Sequence, residues 1–330
     1  MRIFLAGDAV TGTGPANVTR YYIENLPDGT LFQKRRSKIM RVPEIVINTL
    51  RSDVVVYSGY SRQNILGLKL AHIFKRPSAY LMHGCVEHEN AINLVPDETM
   101  NAVERKTLEL ADLVIAVSKS FETWLKDNYP MHARKIVHVS NGVDMSLPKS
   151  GKGERDPHMI LSVGGGMPRK MIKYICLAVK RLREEYDPDM ILCVTGDTGA
   201  DSREIDSYGF VDDRGVVSFK ESRRLYEKAS VFVQNSCFET FGLAPVEALM
   251  CGCSILCSKH VGALEIMEDL KETDLIERYD DPEEIAEKIK RLLTEPNGER
   301  LISHIDGESC SWKVRSEALT QVLSQLVLKR

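Results

Sequence analysis

The sequence predicts an α/β fold made of two successive units, each with a parallel β-sheet covered by helices. Three observations support this prediction. Short apolar runs rich in Val and Ile recur between longer amphipathic segments, and such runs without alternation are typical of strands buried on both faces. The chain has 330 residues, too many for one ordinary core. A polar stretch rich in turn residues, 141–154, separates two series of strands.

The strand-like runs occur in chain order as two series of five, with helices predicted in most gaps. The first series is Arg2–Ala6, Asp53–Tyr57, Ser78–Met82, Leu113–Val117 and Ile136–Val139. The second series is Met159–Val163, Met190–Thr195, Val216–Phe219, Val231–Gln234 and Ser254–Cys257. The final segment carries apolar residues at helical spacing, a face that must be buried. We therefore predict a Rossmann-like domain over 1–145, a second over 146–311 and a C-terminal helix over 312–330.

Composition excludes several classes of protein. With 44 basic and 47 acidic residues, the net charge of -3 argues against a nucleic-acid binder. The apolar runs are far below the roughly 20 residues of a membrane span, and the chain starts with a strand where an exported protein has a signal peptide. We therefore expect a cytoplasmic protein with reduced thiols. Cys251, Cys253 and Cys257 form a cluster, but no second pair with zinc spacing accompanies them, so we predict no metal site.

The segment 238–252 is the most informative part of the sequence for function. Pro245 is typical of a first helical turn and Gly252 of the residue beyond a helix end, which predicts a helix of about two turns. Free N–H groups at its entry, with Gly242 allowing close approach, would form a phosphate site. Glu247 is predicted in the first turn, and Glu239 in the preceding loop.

Two carboxylates beside an anion repel it unless each binds donors, and sugar hydroxyls are such donors. One acid for a ribose and one for a second sugar would suit a nucleotide diphosphate sugar. From spacing alone, an ordinary loop acid plus a glutamate stabilised by the helix dipole explains the pair equally well. Positive charge is expected from Lys170 and Arg169, which follow a Gly-rich turn after a strand. A solvated basic pair is the alternative, although cations are mildly unfavourable at a helix start.

Together these residues resemble the large retaining glycosyltransferase family 4, also called glycosyltransferase group 1. The family has the GT-B fold, in which two Rossmann-like domains face each other across a cleft and a C-terminal helix returns to the first domain. The resemblance covers most of the second half and is weaker in the first. It rests on Glu239 and Glu247 within ETFGLAPVEALMCG, the basic turn, Gly196-Asp197, Val261–Ile266, Asp112–Ser118, Asn141–Asp144 and the SWKV segment before the last helix.

The resemblance implies roles for individual residues. Glu239 would bind the transferred sugar, Glu247 the nucleotide ribose and Lys170 the diphosphate. His83 matches a histidine that reaches the donor sugar from the opposite domain, and its place after a strand supports this role against a purely structural one. The predicted catalytic residues are Glu239, His83 and Lys170, and the predicted nucleotide-sugar-binding residues are Glu247, Arg169, Gly14, Phe241, Gly242, Leu243, Gly165 and Asp197.

Two positions depart from the family pattern. Gly165 stands where the family has an arginine, which leaves Lys170 without its usual partner unless Arg169 substitutes, and Ser254 replaces a proline. The mechanism implied is transfer with retained configuration, without a metal and without a cofactor beyond the donor sugar nucleotide. Asp187-Pro188-Asp189 resembles a metal-binding D-x-D motif, but it precedes the amino end of a strand, so we interpret it as a turn.

The first domain is expected to hold the acceptor, a glycan or lipid-linked hydroxyl in cell-surface polysaccharide or glycoconjugate synthesis. A basic cluster on a segment with Leu31, Phe32, Ile39 and Met40 could rest peripherally on an anionic membrane, at its inner face. A solvated helix face is the alternative. The cluster consists of Lys34, Arg35, Arg36, Lys38 and Arg41.

Three other functions compete with this one. A dinucleotide dehydrogenase is disfavoured because Asn17 and Arg169 stand where the third glycine of each G-x-G-x-x-G would fall. A nucleotide-sugar epimerase of the same architecture remains open, since it would bind the donor without an acceptor. A non-catalytic partner subunit also remains open, although such a subunit would be expected to lose the carboxylate pair or the histidine.

Overall fold

The computed structural model describes residues 1–35, 37–144 and 155–329, without the side chain of Lys38. Arg36 of the predicted basic cluster, and residues 145–154 of the predicted linker, lie outside the described residues. The chain divides into two compact units. The first contains Met1–His88, Pro96–Val143 and Glu308–Arg330, and the second contains Glu89–Val95 and Asp144–Gly307. The predicted α/β class is confirmed, because each unit has a six-stranded parallel sheet covered by helices.

In the first unit the sheet has the strand order β2-β1-β3-β4-β5-β6. Its strands are β1 (Ile3–Ala6), β2 (Leu31–Phe32), β3 (Val54–Ser58), β4 (Ser78–Met82), β5 (Leu113–Ala116) and β6 (Ile136–His138). The helices are α1 (Gly14–Asn25), α2 (Lys38–Arg51), α3 (Arg62–Ile73), α4 (Val86–Ile92), α5 (Glu98–Leu110) and α6 (Lys119–Asn128), with a 3₁₀ helix at Pro130–Lys135. Every residue of β1, β3 and β4 is buried, as expected for strands covered on both faces.

Local capping explains where three helices of this unit begin. Ser61, Asp97 and Ser118 each precede a helix and accept a hydrogen bond from a backbone N–H in its first turn. The last helix of the chain, numbered below, is capped in the same way by Ser311. Trp312, its first residue, stacks on Tyr21 with ring centroids 4.7 Å apart, so the apolar face expected in this segment is buried within the first unit.

In the second unit the sheet has the strand order β12-β11-β10-β7-β8-β9. Its strands are β7 (Asp156–Val163), β8 (Ile191–Thr195), β9 (Val211–Asp213), β10 (Ala229–Gln234), β11 (Ser254–Ser258) and β12 (Leu275–Ile276). The helices are α7 (Ile172–Glu185), α8 (Ser202–Ile205), α9 (Phe219–Lys228), α10 (Leu243–Met250), α11 (Pro282–Thr294) and α12 (Gly298–Ser303), and α13 (Trp312–Leu328) follows in the first unit. Short 3₁₀ helices occupy Pro168–Lys170, Gly262–Ile266 and Glu272–Asp274.

One predicted strand is wrong. Residues 216–219 do not form a strand, because Ser218 caps α9 by accepting a hydrogen bond from the N–H of Glu221. The edge strand is instead β9, which pairs with β8 in parallel. The two-residue strands β2 and β12 were not predicted, since two residues carry no periodicity.

The first part of the predicted linker is buried, although its polar sequence predicted an exposed stretch. Asn141, Gly142 and Val143 are buried in the first unit. The N–H of Val143 donates to the carbonyl of Cys310 at 2.8 Å. A Cβ on Gly142 would come within 2.7 Å of the Trp312 backbone, so this position requires a glycine. Segment 141–143 is therefore part of the packing around the last helix.

The cysteine cluster spans the end of one helix and the strand that follows it. Cys251 lies at the end of α10, and Cys257 is buried in β11. Within 1–35, 37–144 and 155–329, no His, Cys, Asp and Glu side chains group so as to hold a metal ion. A search of the same residues finds no helix with the length and hydropathy required to cross a bilayer.

Candidate functional site

The loops after β7 and β8 bind each other at the carboxyl end of the second sheet. The N–H groups of Gly164 and Gly165 donate to the carbonyl of Thr195 at 2.6 and 2.9 Å. The N–H of Gly166 donates to the carbonyl of Asp197 at 3.0 Å. The side chain of Asp197 is exposed, and it is the backbone carbonyl of Asp197 that holds the Gly-rich turn. These bonds hold the Gly-rich turn in a defined shape.

This shape leaves no room for a side chain at position 165. Gly165 has a φ of +55°, and a Cβ there would collide with the carbonyl oxygen of Asp197. The stem of the Lys170 side chain lies against Gly164, where a Cβ would also collide. The backbone conformation of this chain therefore excludes the arginine that the family has at position 165. Any second cation must come from another residue.

Lys170 and Arg169 both contact the carboxylate of Glu239. Lys170 Nζ donates to Glu239 Oε2, and the two side chains are only 10% and 11% exposed. Arg169 Nη1 lies 3.4 Å from the same oxygen, and its Nε lies 3.4 Å from Glu89, which belongs to the same unit. The structure thus brings together three residues that the sequence predicted to act on one ligand.

Two further side chains surround the same carboxylate oxygen. Gln234 Nε2 and Ser236 Oγ each lie 3.4 Å from Glu239 Oε2. Within the described residues, every side-chain hydrogen bond and ion pair of Glu239 ends at Oε2. Oε1 therefore remains available to hydroxyl donors. Gln234 and Ser236 were not predicted as site residues, although the end of a predicted strand in this sheet was a signal that could have found them.

The charges of this group are set by burial and by each other. Burial alone would raise the pKa of Glu239, but Lys170 and Arg169 outweigh it and hold the pKa below its ordinary value. Burial lowers the pKa of Lys170, and the neighbouring Arg169 lowers it further, against the opposing effect of Glu239. With Glu89 beside Arg169, the group contains two cations and two carboxylates, and Lys170 and Arg169 place its positive charges beside the start of α10.

The backbone between Glu239 and α10 is fixed by the segment after β11. The N–H of Gly262 donates to the carbonyl of Glu239 at 3.0 Å, and the N–H of Ala263 donates to the carbonyl of Phe241 at 2.7 Å. The Phe241 side chain is buried. Gly242 has a φ of +85°, and a Cβ there would meet Glu239 Cγ at 2.9 Å. A glycine is therefore needed for Glu239 to lie against the helix entry.

The start of α10 retains free donors. Its N-cap residue is Gly242, and no side chain of the described residues caps the helix. The helix begins at Leu243, two residues before Pro245, so Glu247 lies in the second turn. The prediction of Glu247 in the first turn is wrong, because the chain enters the helix before the proline. The uncapped first-turn amides remain a suitable site for an anion.

Glu247 lies in a different environment from Glu239. Its Oε2 accepts a hydrogen bond from the hydroxyl of Tyr226 at 3.4 Å. Burial raises the pKa of Glu247 to about 7, with Asp144 adding repulsion and Tyr226 opposing it. Near neutral pH this carboxyl group is therefore partly protonated, whereas Glu239 is ionised. Tyr226 was not predicted, because it lies on a helix with no motif of its own.

His83 and Gly14 belong to the first unit. His83 Nε2 lies 2.7 Å from Ser58 Oγ, which lies 2.7 Å from Thr19 Oγ1 on α1. Burial lowers the pKa of His83 to about 4, so the imidazole is neutral at physiological pH. Gly14 is exposed and begins α1, whose N-cap Thr13 makes no side-chain capping bond within the described residues. The Ser58 link was not foreseen, since a serine inside an apolar strand carries no motif.

The D-x-D-like tripeptide has a structural role. Asp187 Oδ2 lies 2.7 Å from His158 Nδ1, and Asp187 Oδ1 accepts from the N–H of Asp189 at 3.0 Å. These bonds form a turn between α7 and the amino end of β8. The tripeptide is thus a turn, as its position in the sequence indicated.

Two family models match adjacent parts of the chain. The model described as Glycosyltransferase Family 4 matches residues 3–147, and the model described as Glycosyl transferases group 1 matches residues 146–304. Among curated proteins, alpha-maltose-1-phosphate synthase of Mycolicibacterium smegmatis is 25% identical over 251 residues, covering 67% of this chain and 65% of the relative. The chain thus spans less than two thirds of the length of this relative.

Solved structures share the fold over nearly the whole chain. HepE of Anabaena, in complex with UDP and glucose, superposes with a TM-score of 0.71 at 16% identity, covering 98% of this chain and 100% of that one. The sucrose-phosphate synthase of Thermosynechococcus elongatus superposes with a TM-score of 0.72 at 20% identity, covering 100% of both chains. The fold, the carboxylate pair on either side of the α10 entry and the two family models agree, and the chain belongs to the group 1 glycosyltransferases of family 4, with the GT-B fold.

Proposed function

We propose that this protein is a retaining, metal-independent glycosyltransferase that moves a sugar from a nucleotide diphosphate sugar to a hydroxyl of a glycan or lipid-linked acceptor. The observation that carries the proposal is the convergence of Lys170 and Arg169 on one oxygen of Glu239, beside the uncapped start of α10. Positive charge, backbone donors and a carboxylate oxygen left for hydroxyls then adjoin one another. The UDP and glucose bound to HepE support a nucleotide-sugar donor.

The donor pyrophosphate would bind the first-turn amides of α10 and Lys170. As the bond between the anomeric carbon and the phosphate oxygen breaks, negative charge develops on the departing diphosphate, and these groups stabilise it. Arg169 would supply the second cation that Gly165 cannot carry. Glu239 would orient the transferred sugar through its hydroxyls, with Gly242 and the backbone of Phe241 and Leu243 beside it.

The acceptor hydroxyl would attack the anomeric carbon from the face that the diphosphate leaves, so the configuration is retained. The new bond joins the acceptor oxygen to the anomeric carbon, and the acceptor proton passes to the departing phosphate oxygen. No side-chain base is needed for this step. Glu247 would bind the ribose hydroxyls, and the neutral His83 would contribute a hydrogen bond to the donor sugar, as family resemblance implies.

The test uses a panel of uridine, guanosine and adenosine diphosphate sugars. We expect one of them to raise the melting temperature and to serve as donor for transfer to a hydroxyl acceptor, with EDTA having no effect. Nuclear magnetic resonance of the product should show the anomeric configuration of the donor. An epimerised donor without transfer would favour the epimerase. Activity lost in EDTA and restored by a divalent ion would contradict metal independence.

Variants connect the activity to the site. Removing one partner of the buried Lys170–Glu239 pair leaves the other charge unpaired, at a cost of about 3–5 kcal/mol, so activity is measured well below each melting temperature. We expect Glu239→Gln and Lys170→Ala to abolish turnover. Glu287→Gln, an exposed acid on α11, is the matched control and should retain full activity. A fully active Glu239→Gln protein would refute the assignment.

A further inference from the structure

We propose that the outer face of α2 and α3 docks this protein on an anionic lipid bilayer. The proposal concerns the first unit and does not depend on the transfer chemistry assigned to the second. The face, called here the α2–α3 face, consists of large apolar side chains that the fold leaves exposed. They are Ile39, Met40, Val42, Ile47 and Leu50 on α2, with Leu66 and Ile73 on α3.

The apolar residues of α2 form one continuous stripe. Positions 39, 42, 43, 46, 47 and 50 follow the i, i+3, i+4, i+7 spacing of a single helix face, which extends about 16 Å along the axis. An apolar stripe normally packs on the core, but here a different side of the helix does so. Ile45 and Thr49 are fully buried, whereas Ile39 is 82% exposed and Ile47 is 51% exposed. The stripe is therefore turned outward.

Helix α3 extends the same surface. Each of α2 and α3 connects one strand to the next in the same direction along the sheet, so right-handed crossovers place both on one side of it. Arg76 Nη2 donates to the carbonyl of Leu50 at 3.1 Å, which brings the end of α3 beside the end of α2. Ile73, 70% exposed, lies in the last turn of α3. The two helices thus present one apolar surface.

Positive charge is concentrated in the two sequence segments that carry this surface. Residues 34–51 contain six Lys or Arg and one acid, and residues 62–76 contain four Lys or Arg and no acid. The whole chain has 44 basic and 47 acidic residues, so the remaining residues have 34 basic and 46 acidic. The single acid, Glu44, accepts hydrogen bonds from the backbone N–H groups of Lys34 and Arg35 and so shapes the basic segment before α2.

The combination identifies the partner by its chemistry. An exposed apolar stripe with Lys and Arg beside it inserts into the headgroup region of a bilayer while its cations meet anionic lipids. A second copy of this chain would bring these basic segments against each other, which disfavours a symmetric dimer through this face. The membrane hypothesis from the sequence also included Leu31 and Phe32. These residues form β2, pair with β1 and are half-buried, so they are not part of the α2–α3 face.

The experiment is flotation of the purified full chain with lipid vesicles. We expect binding to vesicles of equal parts phosphatidylglycerol and phosphatidylcholine, little binding to pure phosphatidylcholine, and weaker binding as salt rises. Ile39→Glu combined with Ile47→Glu should reduce binding at least tenfold. Arg62→Gln and Lys69→Gln, both exposed on α3, should each reduce it about fivefold, the equivalent of about 1 kcal/mol per charge.

Matched controls carry the same charge change at exposed apolar positions elsewhere. Met131→Glu, at a site 93% exposed, and Val216→Glu, at a site 73% exposed, should bind vesicles like the unmodified protein. All variants should melt at nearly the same temperature, because the altered side chains are exposed. Stabilisation by a donor nucleotide sugar is measured on the same samples, so failure of the transferase proposal would be seen separately from failure of vesicle binding.

Three results would overturn the proposal. The first is equal binding to anionic and neutral vesicles, or binding to neither. The second is unchanged binding by the Ile39→Glu, Ile47→Glu protein. The third is a dimer, detected by light scattering, that the same double variant converts to a monomer, since the α2–α3 face would then be an interface between copies.

Discussion

Glu247→Gln tests the environment of the second carboxylate most directly. Burial raises the pKa of Glu247 from 4.5 to about 7, a difference of 2.5 units. At about 1.36 kcal/mol per unit, ionising this group in the folded protein costs up to about 3 kcal/mol. Part of the side chain is still exposed, and solvent reduces the figure. Glutamine has nearly the same shape and cannot ionise, so the variant avoids the cost.

The sign of the pH dependence follows from proton binding. Between pH 4.5 and 7 the folded protein holds a proton on Glu247 that the unfolded chain has lost, so stability falls as pH rises through this window. We therefore expect Glu247→Gln to unfold at the same urea concentration as the unmodified protein near pH 4.5. The variant should become more stable by up to about 3 kcal/mol at pH 8.

The assay is urea unfolding at pH 4.5, 6, 7 and 8 for both proteins. Glu287→Gln, at an exposed site on α11, is the control and should follow the unmodified protein at every pH. Stability curves for Glu247→Gln that run parallel to those of the unmodified protein would refute the reasoning. If ribose hydroxyls bind the ionised carboxylate, donor affinity should also rise with pH up to about 7 in the unmodified protein and stay weak in the variant.

Three other predictions concern packing and charge. Gly165→Ala should lower the free energy of unfolding by about 2–4 kcal/mol, because a Cβ at φ +55° collides with the carbonyl of Asp197; an unchanged urea midpoint would contradict this. Gly142→Ala should cost about 1–3 kcal/mol and weaken the near-ultraviolet circular dichroism of Trp312, whose ring lies 2.6 Å from the added Cβ. The imidazole of His83 should titrate near pH 4 in nuclear magnetic resonance spectra, and stability should fall as pH drops below 6.5; a titration near 6.5 would contradict its burial.

The candidate site was partly predictable from the sequence. Glu239, Lys170 and the glycine at 242 could be named because a helix start after a strand, with acids and glycines at fixed spacing, is a local pattern. Gln234, Ser236 and Tyr226 could not, since their role depends on which loop lies beside Glu239 and Glu247 after folding. The exclusion of a side chain at position 165 likewise depends on a loop about thirty residues away in the chain.

The sequence by itself determined the two α/β halves, because strands buried on both faces need unbroken apolar runs and several helix starts carry capping residues next to them in the chain. The helix start at 219 is local as well, since Ser218 caps α9 from the preceding position. Tertiary structure alone decided that β9 is the edge strand beside β8. It also decided that the apolar stripe of α2 faces outward. Periodicity shows that a helix has an apolar face, but which face meets the core depends on the neighbouring strands and helices, and these are brought together only by folding.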